Sequence, residues 1–173
     1  MAEKHANRLL QIAIVVEDVD KAYKTFTELL GFEIENEPQK EAVNMRDFIK
    51  DYEVNGEPSQ YFVKQLSFKA FNLEWEIMQP VSGSPMADWL KEHGPGIHHL
   101  AFMYEEGGES FMERFQKFTG NRGVWMNGTA KSIGMDYNYL NLFPEIGFMV
   151  EAYREDMTPK KDLGVPIDYK YEG

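Results

Sequence analysis

Leu9–Asp18 reads LLQIAIVVED and Ile97–Glu106 reads IHHLAFMYEE. Aligned with Gln11 over His99, both are apolar runs that stop at acidic residues, the pattern of a strand buried on most of its surface. Each is answered, at the end of its own half of the chain, by another apolar strand with a carboxylate inside it: Glu76 in LEWEIMQP (73–80) and Glu151 in FMVEAYRE (148–155). A carboxylate in such a strand is costly unless something compensates it. Two of them at matching places predict a shared partner, and a divalent metal ion is the economical one.

Working outward from Leu9–Asp18, the acidic EDVD offers Asp18 or Asp20 as a helix cap, and DKAYKTFTELL (20–30) follows with Ala22, Tyr23, Phe26, Leu29 and Leu30 at helical spacing. Gly31 ends that helix and GFEIE (31–35) is predicted to return as a strand. The stretch from Val43 to Tyr52 gives no clear period. Turn-rich NGEPS (55–59) then leads into a strand, YFVKQLSFKAF (61–71), and a tight turn near Ala70–Asn72 into NLEWEIMQ (72–79). The order is β-α-β-β-β over residues 8–80. A linker helix, 84–93, carries Pro85 near its start and Ser84 as its cap. Residues 96–156 repeat the scheme: strand GIHHLAFMY, turn EEGGE, helix SFMERFQKF, strand near GVWM, strand DYNYLNLF, turn PEIG and strand FMVEAYR. An internal repeat at this spacing means two copies of a folding unit and not an array. The fold expected is therefore α+β, two paired β-α-β-β-β modules forming a cupped mixed sheet around a metal site. All 173 residues are read as one domain, with residues 157–173 as a loosely packed polar tail.

Composition narrows the partners. The chain is 43% hydrophobic and 14% aromatic, an ordinary globular balance, and carries a formal charge of −11 with no basic cluster. Nucleic acid and anionic membranes are repelled overall, although local lysines or arginines could still hold the phosphates of a small thioester. The absence of cysteine excludes disulfides, thiolate metal sites and cysteine nucleophiles. With no apolar leader in MAEKHANRLLQ and no stretch of membrane-spanning length, a cytoplasmic protein is expected.

Strand parity groups Gln11 with Ala13 and Val15, His99 with Ala101 and Met103, Glu76 with Glu74 and Met78, and Glu151 with Met149 and Tyr153. Packed by a pseudo-twofold, the four can converge as one imidazole, one amide oxygen and two carboxylates, donors suited to Zn²⁺, Ni²⁺, Co²⁺, Mn²⁺ or Mg²⁺. The neighbours have plainer roles. His98 points by alternation to the opposite face as a structural histidine, and Glu74 pairs with lysines on the outer face. His5 and His93 are solvated, and Trp75, Trp89 and Trp125 are core or pocket wall. NGTAKSIGMD (127–136), longer than a hairpin needs, is read as a surface loop.

These residues carry a resemblance. LLQIAIVVEDVDKAYKTFTELLGFEI, EWEIMQP, SPMADWLKEHGPGIHHLAF and GFMVEAYRE, within roughly residues 8–156, resemble the vicinal oxygen chelate superfamily of glyoxalase I, methylmalonyl-CoA epimerase, extradiol dioxygenases and bleomycin-resistance proteins. The resemblance implies a metal held by one residue from the first and last strand of each module, which here are Gln11, Glu76, His99 and Glu151. SPMADWLKEHGPGIHHLAF is most similar to methylmalonyl-CoA epimerases, whose first-strand ligand is normally histidine where Gln11 stands. The Gln/Glu/His/Glu set is instead similar to zinc-type glyoxalase I, whose glutathione-using members present an arginine where Val15 stands. A dioxygenase would need two histidines and one carboxylate on Fe(II), which Gln11 denies.

The function expected is a metal-dependent epimerase, isomerase or lyase moving a proton α to the carbonyl of a small acyl thioester or 2-oxo compound, with Glu76 and Glu151 as ligand and base. The alternative is a non-catalytic small-molecule-binding protein of the bleomycin-resistance kind. A homodimer is expected, since such sheets leave strand edges that a twin can cover.

Overall fold

β1 (Ala6–Val15) and β7 (Gly96–Tyr104) lie side by side and antiparallel in the middle of a ten-stranded mixed sheet. A computed structural model of the chain describes residues 6–44, 50–59, 62–81, 83–104, 111–130 and 135–154. Each central strand is flanked by a parallel partner from its own half, β6 (Leu73–Pro80) on β1 and β10 (Met149–Arg154) on β7. Outside β6 come β5 (Phe62–Ala70) and β2 (Gln39–Asn44). Outside β10 come β9 (Met135–Leu140) and β8 (Val124–Ala130). The two halves thus repeat one pairing scheme about the β1–β7 seam, and the architecture is the expected α+β fold with a mixed sheet.

Two of the helices cover one face. Asp18 caps α1 (Val19–Lys24) by accepting from the Lys21 N–H at 2.9 Å, and the helix runs on through a π-helical segment, Thr25–Leu29. Tyr23 and Phe26 from this run pack with buried Leu66, Phe68, Ala70 and Ile77. In the second half, α3 (Phe111–Thr119) sets Phe115 against Leu140 and Val150. The other face carries a third core: Ala13, Val15, Met78, Ala101, Tyr139 and Met149, joined by Met86 and Trp89 of α2 (Pro85–His93) and by Trp125 of β8. The Ser84 side chain accepts from the Ala87 N–H and caps α2, as the sequence predicts.

The structure corrects the strand assignments in three places. GFEIE is not a strand. After Gly31 turns the chain at positive φ, the Glu35 N–H donates to the Lys69 carbonyl at 2.9 Å, but the Lys69 N–H goes to Asn36 Oδ1 at 2.6 Å, so a side chain takes the place of the return bond of a ladder. β2 forms later, at Gln39–Asn44, where the sequence shows no strand period. β3 (Lys50–Val54), from the stretch without a period, leaves the first half of the sheet altogether: it pairs with β8 and, through Asn55–Gly56, with the short β4 (Glu57–Pro58). The first half therefore covers the outer strand of the second. The expected loop 127–136 is also shorter, because β8 continues to Ala130 and β9 begins at Met135. Lys131, the EEGGE turn, the 157–173 tail and His5 lie outside the described residues.

PEIG is a short helix, α4 (Phe143–Ile146). The turn at Phe71–Asn72 is as expected: both residues have positive φ, the conformation that joins two strands through two residues.

Candidate metal and acid–base site

Gln11, Glu76, His99 and Glu151 sit on β1, β6, β7 and β10, the four strands at the centre of the sheet, with their side chains on the face opposite α1 and α3. The structure brings all four together. His99 Nε2 lies 3.3 Å from Gln11 Oε1, 3.6 Å from Glu76 Oε2 and 3.4 Å from Glu151 Oε2. All four residues are buried, His99 completely. Tyr139 stacks on the His99 ring at 4.3 Å and shields it from solvent.

Register explains the convergence. Across the parallel β1–β6 pair Ala13 opposes Glu76, and across β7–β10 Ala101 opposes Glu151. Neighbours on the shared face are thus fully buried alanines, small enough to leave room for the larger polar groups.

Four further residues belong to the site: Glu74 shares the strand parity of Glu76, and the other three depend on pairing between strands. Gln65 Nε2 donates to Glu76 Oε1 at 2.6 Å and to Ser67 Oγ at 3.3 Å, so β5 supplies a second layer behind Glu76. Glu74, expected on the outer face, instead shares the inner face with Glu76. Lys69 does oppose it, but Glu74 also takes a hydrogen bond from the Gln11 amide and feels the charge of Glu151. Its carboxyl is pushed up to about 7, by burial first and then by Glu151, against the pull of Lys69 and Gln11.

His98 is the largest correction. The β1–β7 register slips by one between Ala13↔His99 and Ile14↔Ile97, which makes His98 the extra residue of a β-bulge. The bulge turns its ring to the same side as His99, where Nδ1 of the two imidazoles stand 3.0 Å apart. Trp89, Trp125 and Tyr139 surround His98 edge-on. Burial, then the neighbouring His99 and His93, hold its pKa well below the usual imidazole value, so it is neutral.

Among the described residues no group of three or more His, Asp or Glu side chains stands in a preformed metal-holding arrangement. His99, Glu76 and Glu151 close on one another instead. The donor set itself fits a divalent cation, since ligands held about 2.0–2.2 Å from one ion stand roughly 3–3.5 Å from each other, close to the separations around His99 Nε2. The buried carboxylates also need a positive counterpart, which one imidazole supplies only when protonated.

Beside this cluster lies a cleft of about 580 Å³ between β3–β4, α2 and α4. Met149, opposite His99 in register, and Trp125, against His98, belong to its wall. Trp89 and Phe143 line it further, and Glu57, Asp88 and Glu92 give it an acidic rim with no lysine or arginine among the described lining residues.

A profile of the glyoxalase/bleomycin resistance protein/dioxygenase superfamily matches residues 10–122. The chain belongs to that superfamily. Among curated proteins none matches the sequence. Among solved structures, this glyoxalase-superfamily chain is similar to methylmalonyl-CoA epimerase from Mycobacterium tuberculosis, with TM-score 0.55, 18% identity, and 89% of this chain and 91% of that one covered. It is similar to a hypothetical protein from Bacillus halodurans C-125, with TM-score 0.53, 19% identity and coverage of 88% and 97%. A Streptomyces coelicolor methylmalonyl-CoA epimerase variant in complex with 2-nitronate-propionyl-CoA gives 0.51, 18%, 86% and 97%. At such identities the likeness establishes the glyoxalase-type fold.

The profile covers β1, β6 and β7 and stops short of β10, so it includes Gln11, Glu76 and His99 but not Glu151. No helix among the described residues is long and apolar enough to cross a membrane.

Proposed function

We propose that the protein is a divalent-metal-dependent isomerase, epimerase or lyase of the glyoxalase type, moving a proton α to the carbonyl of a small acyl thioester or 2-oxo compound. The observation that carries this reading is the convergence of three oxygen donors on His99 Nε2 from the four central strands. Gln11, Glu76, His99 and Glu151 would hold the ion, of the Zn²⁺, Ni²⁺, Co²⁺, Mn²⁺ or Mg²⁺ class. When bound, such an ion polarises a carbonyl oxygen and makes the adjoining C–H acidic.

The roles of the two carboxylates follow from their neighbours. Glu76 is pinned through Oε1 by Gln65, which suits a holding role. Glu151 then takes the proton from carbon and, for an isomerase, returns it to the neighbouring carbon; for an epimerase Glu151 keeps that proton and a second proton donor on the opposite face supplies the one that returns. The aromatic wall of Tyr139 and Trp125 limits water at the site and strengthens each of these interactions.

The adjoining cleft narrows the substrate. A phosphate-bearing carrier laid there would meet Glu57, Asp88 and Glu92 in a chain of net charge −11. A small 2-oxo compound or a short thioester can rest on Trp89, Trp125 and Phe143 without bringing phosphates to the acidic rim. A homodimer belongs to the same reading, with β2 and β4 as the outer strands of the sheet.

The bleomycin-resistance-like alternative, a pocket that binds without chemistry, draws support from the direct contact among the donors. Proton exchange separates the two. Metal-loaded protein incubated in D₂O with a panel of 2-oxo compounds and short acyl thioesters exchanges the α-proton of at least one, and Glu151→Gln slows that exchange about 100-fold or more. Absence of exchange across the panel with metal bound would overturn the catalytic reading.

A further inference from the structure

His99 presents Nε2 to the oxygen donors, so its other nitrogen, Nδ1, faces away from them and towards His98 at 3.0 Å. Two neutral imidazole nitrogens at that distance form a hydrogen bond only if one carries the proton and the other does not. An imidazole that ligates through Nε2 carries its proton on Nδ1 and donates it to a second group, usually a carboxylate, a carbonyl or water. Among the described residues the partner of His99 Nδ1 is a second, completely buried histidine.

We propose that His98 is a positioning residue for the metal centre, accepting the His99 Nδ1 proton on its own Nδ1 and so leaving His99 Nε2 bare towards the ion. This rests on the metal site proposed above.

Two observations in the fold carry the assignment. Regular alternation would send His98 to the α3 side of the sheet, and the one-residue bulge in β7 is what brings it beside His99. The tautomer required of His98 places its remaining proton on Nε2, and that atom is buried with no hydrogen-bond partner among the described residues. A buried donor without an acceptor is costly, and the arrangement is explained if the same ring does work at Nδ1. Trp89, Trp125 and Tyr139 pack around the ring and hold its orientation.

The test uses full-length protein with ¹⁵N-labelled histidine, loaded with Zn²⁺, and reads imidazole tautomers by long-range ¹H–¹⁵N correlation, beside Zn²⁺ affinity by competition with a chelator. The Zn²⁺ form shows His99 protonated at Nδ1 and His98 protonated at Nε2. His98→Leu, which has no acceptor, binds Zn²⁺ about 10–100-fold more weakly, whereas His98→Asn, whose Oδ1 stands near the former Nδ1, stays within a few-fold of wild type. A Zn²⁺ form with the proton on His98 Nδ1, or equal losses in folded Leu and Asn variants, would overturn the proposal. If His98→Leu does not fold, the wild-type tautomers and His98→Asn still decide it. Wild-type protein that takes up no Zn²⁺ overturns the metal site itself, a different failure from a bound metal with the wrong tautomer.

Discussion

Gln65 Nε2 donates to Glu76 Oε1 at 2.6 Å across the β5–β6 pair, with both side chains buried. Hydrogen bonds to a charged group contribute about 1.5–3 kcal/mol, and the bond also fixes which carboxylate oxygen faces His99. Gln65→Leu, which keeps the bulk, is expected to lower stability by about 1–3 kcal/mol in urea unfolding and to weaken metal retention about tenfold or more. Unchanged values in both measurements would show that the contact holds nothing in place.

Glu74 gives a pH dependence of definite sign. Its carboxyl stands at about 7 in the folded chain against 4.5 ordinarily. Between those values the folded chain keeps a proton that the unfolded chain has released, so stability falls as pH rises through this window. The effect is on the order of 3 kcal/mol at most. For metal-free protein, Glu74→Gln gains stability over wild type at pH 8 and little or none at pH 4.5. Urea midpoints at the two pH values check this, and an equal difference at both would contradict it.

The site was readable in the sequence to the extent that it follows alternation. Gln11, Glu76, His99 and Glu151 each lie in an apolar strand whose buried neighbours, such as Ala13, Met78, Ala101 and Met149, share their face, so period alone places them together once the halves are paired. Glu74, two residues from Glu76, shares its face by the same alternation, and burial beside Glu151 outweighs the pull of Lys69 that an outer-face position would offer. His98 was not readable, because a bulge is a property of the β1–β7 pairing and one strand's sequence does not announce it. Gln65 and Ser67 were hidden for a similar reason: their partner, Glu76, lies on another strand. The fold shows the same division. Asp18, Ser84 and Phe71–Asn72 act through local geometry and stand where expected. β2 and β3 depend on partners far along the chain, β5 and β8, and there local period gave no guide.

Ser84 accepts from the Ala87 N–H and donates to the Val81 carbonyl at 2.9 Å, fixing the start of the helix that carries Met86 and Trp89 into the inner core. Ser84→Ala is expected to cost about 1 kcal/mol, read as a lower thermal midpoint, without loss of metal. A thermal midpoint equal to that of wild type would contradict the capping role.

The acidic cleft predicts a preference among thioesters. An acyl-pantetheine should bind as well as or better than the matching acyl-CoA, and Glu92→Lys should shift the ratio towards the CoA ester. Calorimetric titration of both esters checks this; a clear preference of the wild-type chain for the CoA ester would place the phosphates elsewhere on the molecule.

The central claim is that Gln11, Glu76, His99 and Glu151 form one metal centre. Its most direct test is elemental analysis after loading with Zn²⁺, Ni²⁺, Co²⁺ or Mn²⁺ and exhaustive dialysis, with His99→Ala and Glu151→Ala run in parallel. About one ion per wild-type chain, lost in both variants while they remain folded, is the predicted result. A wild-type chain that retains no ion, or variants that keep it, would contradict the claim.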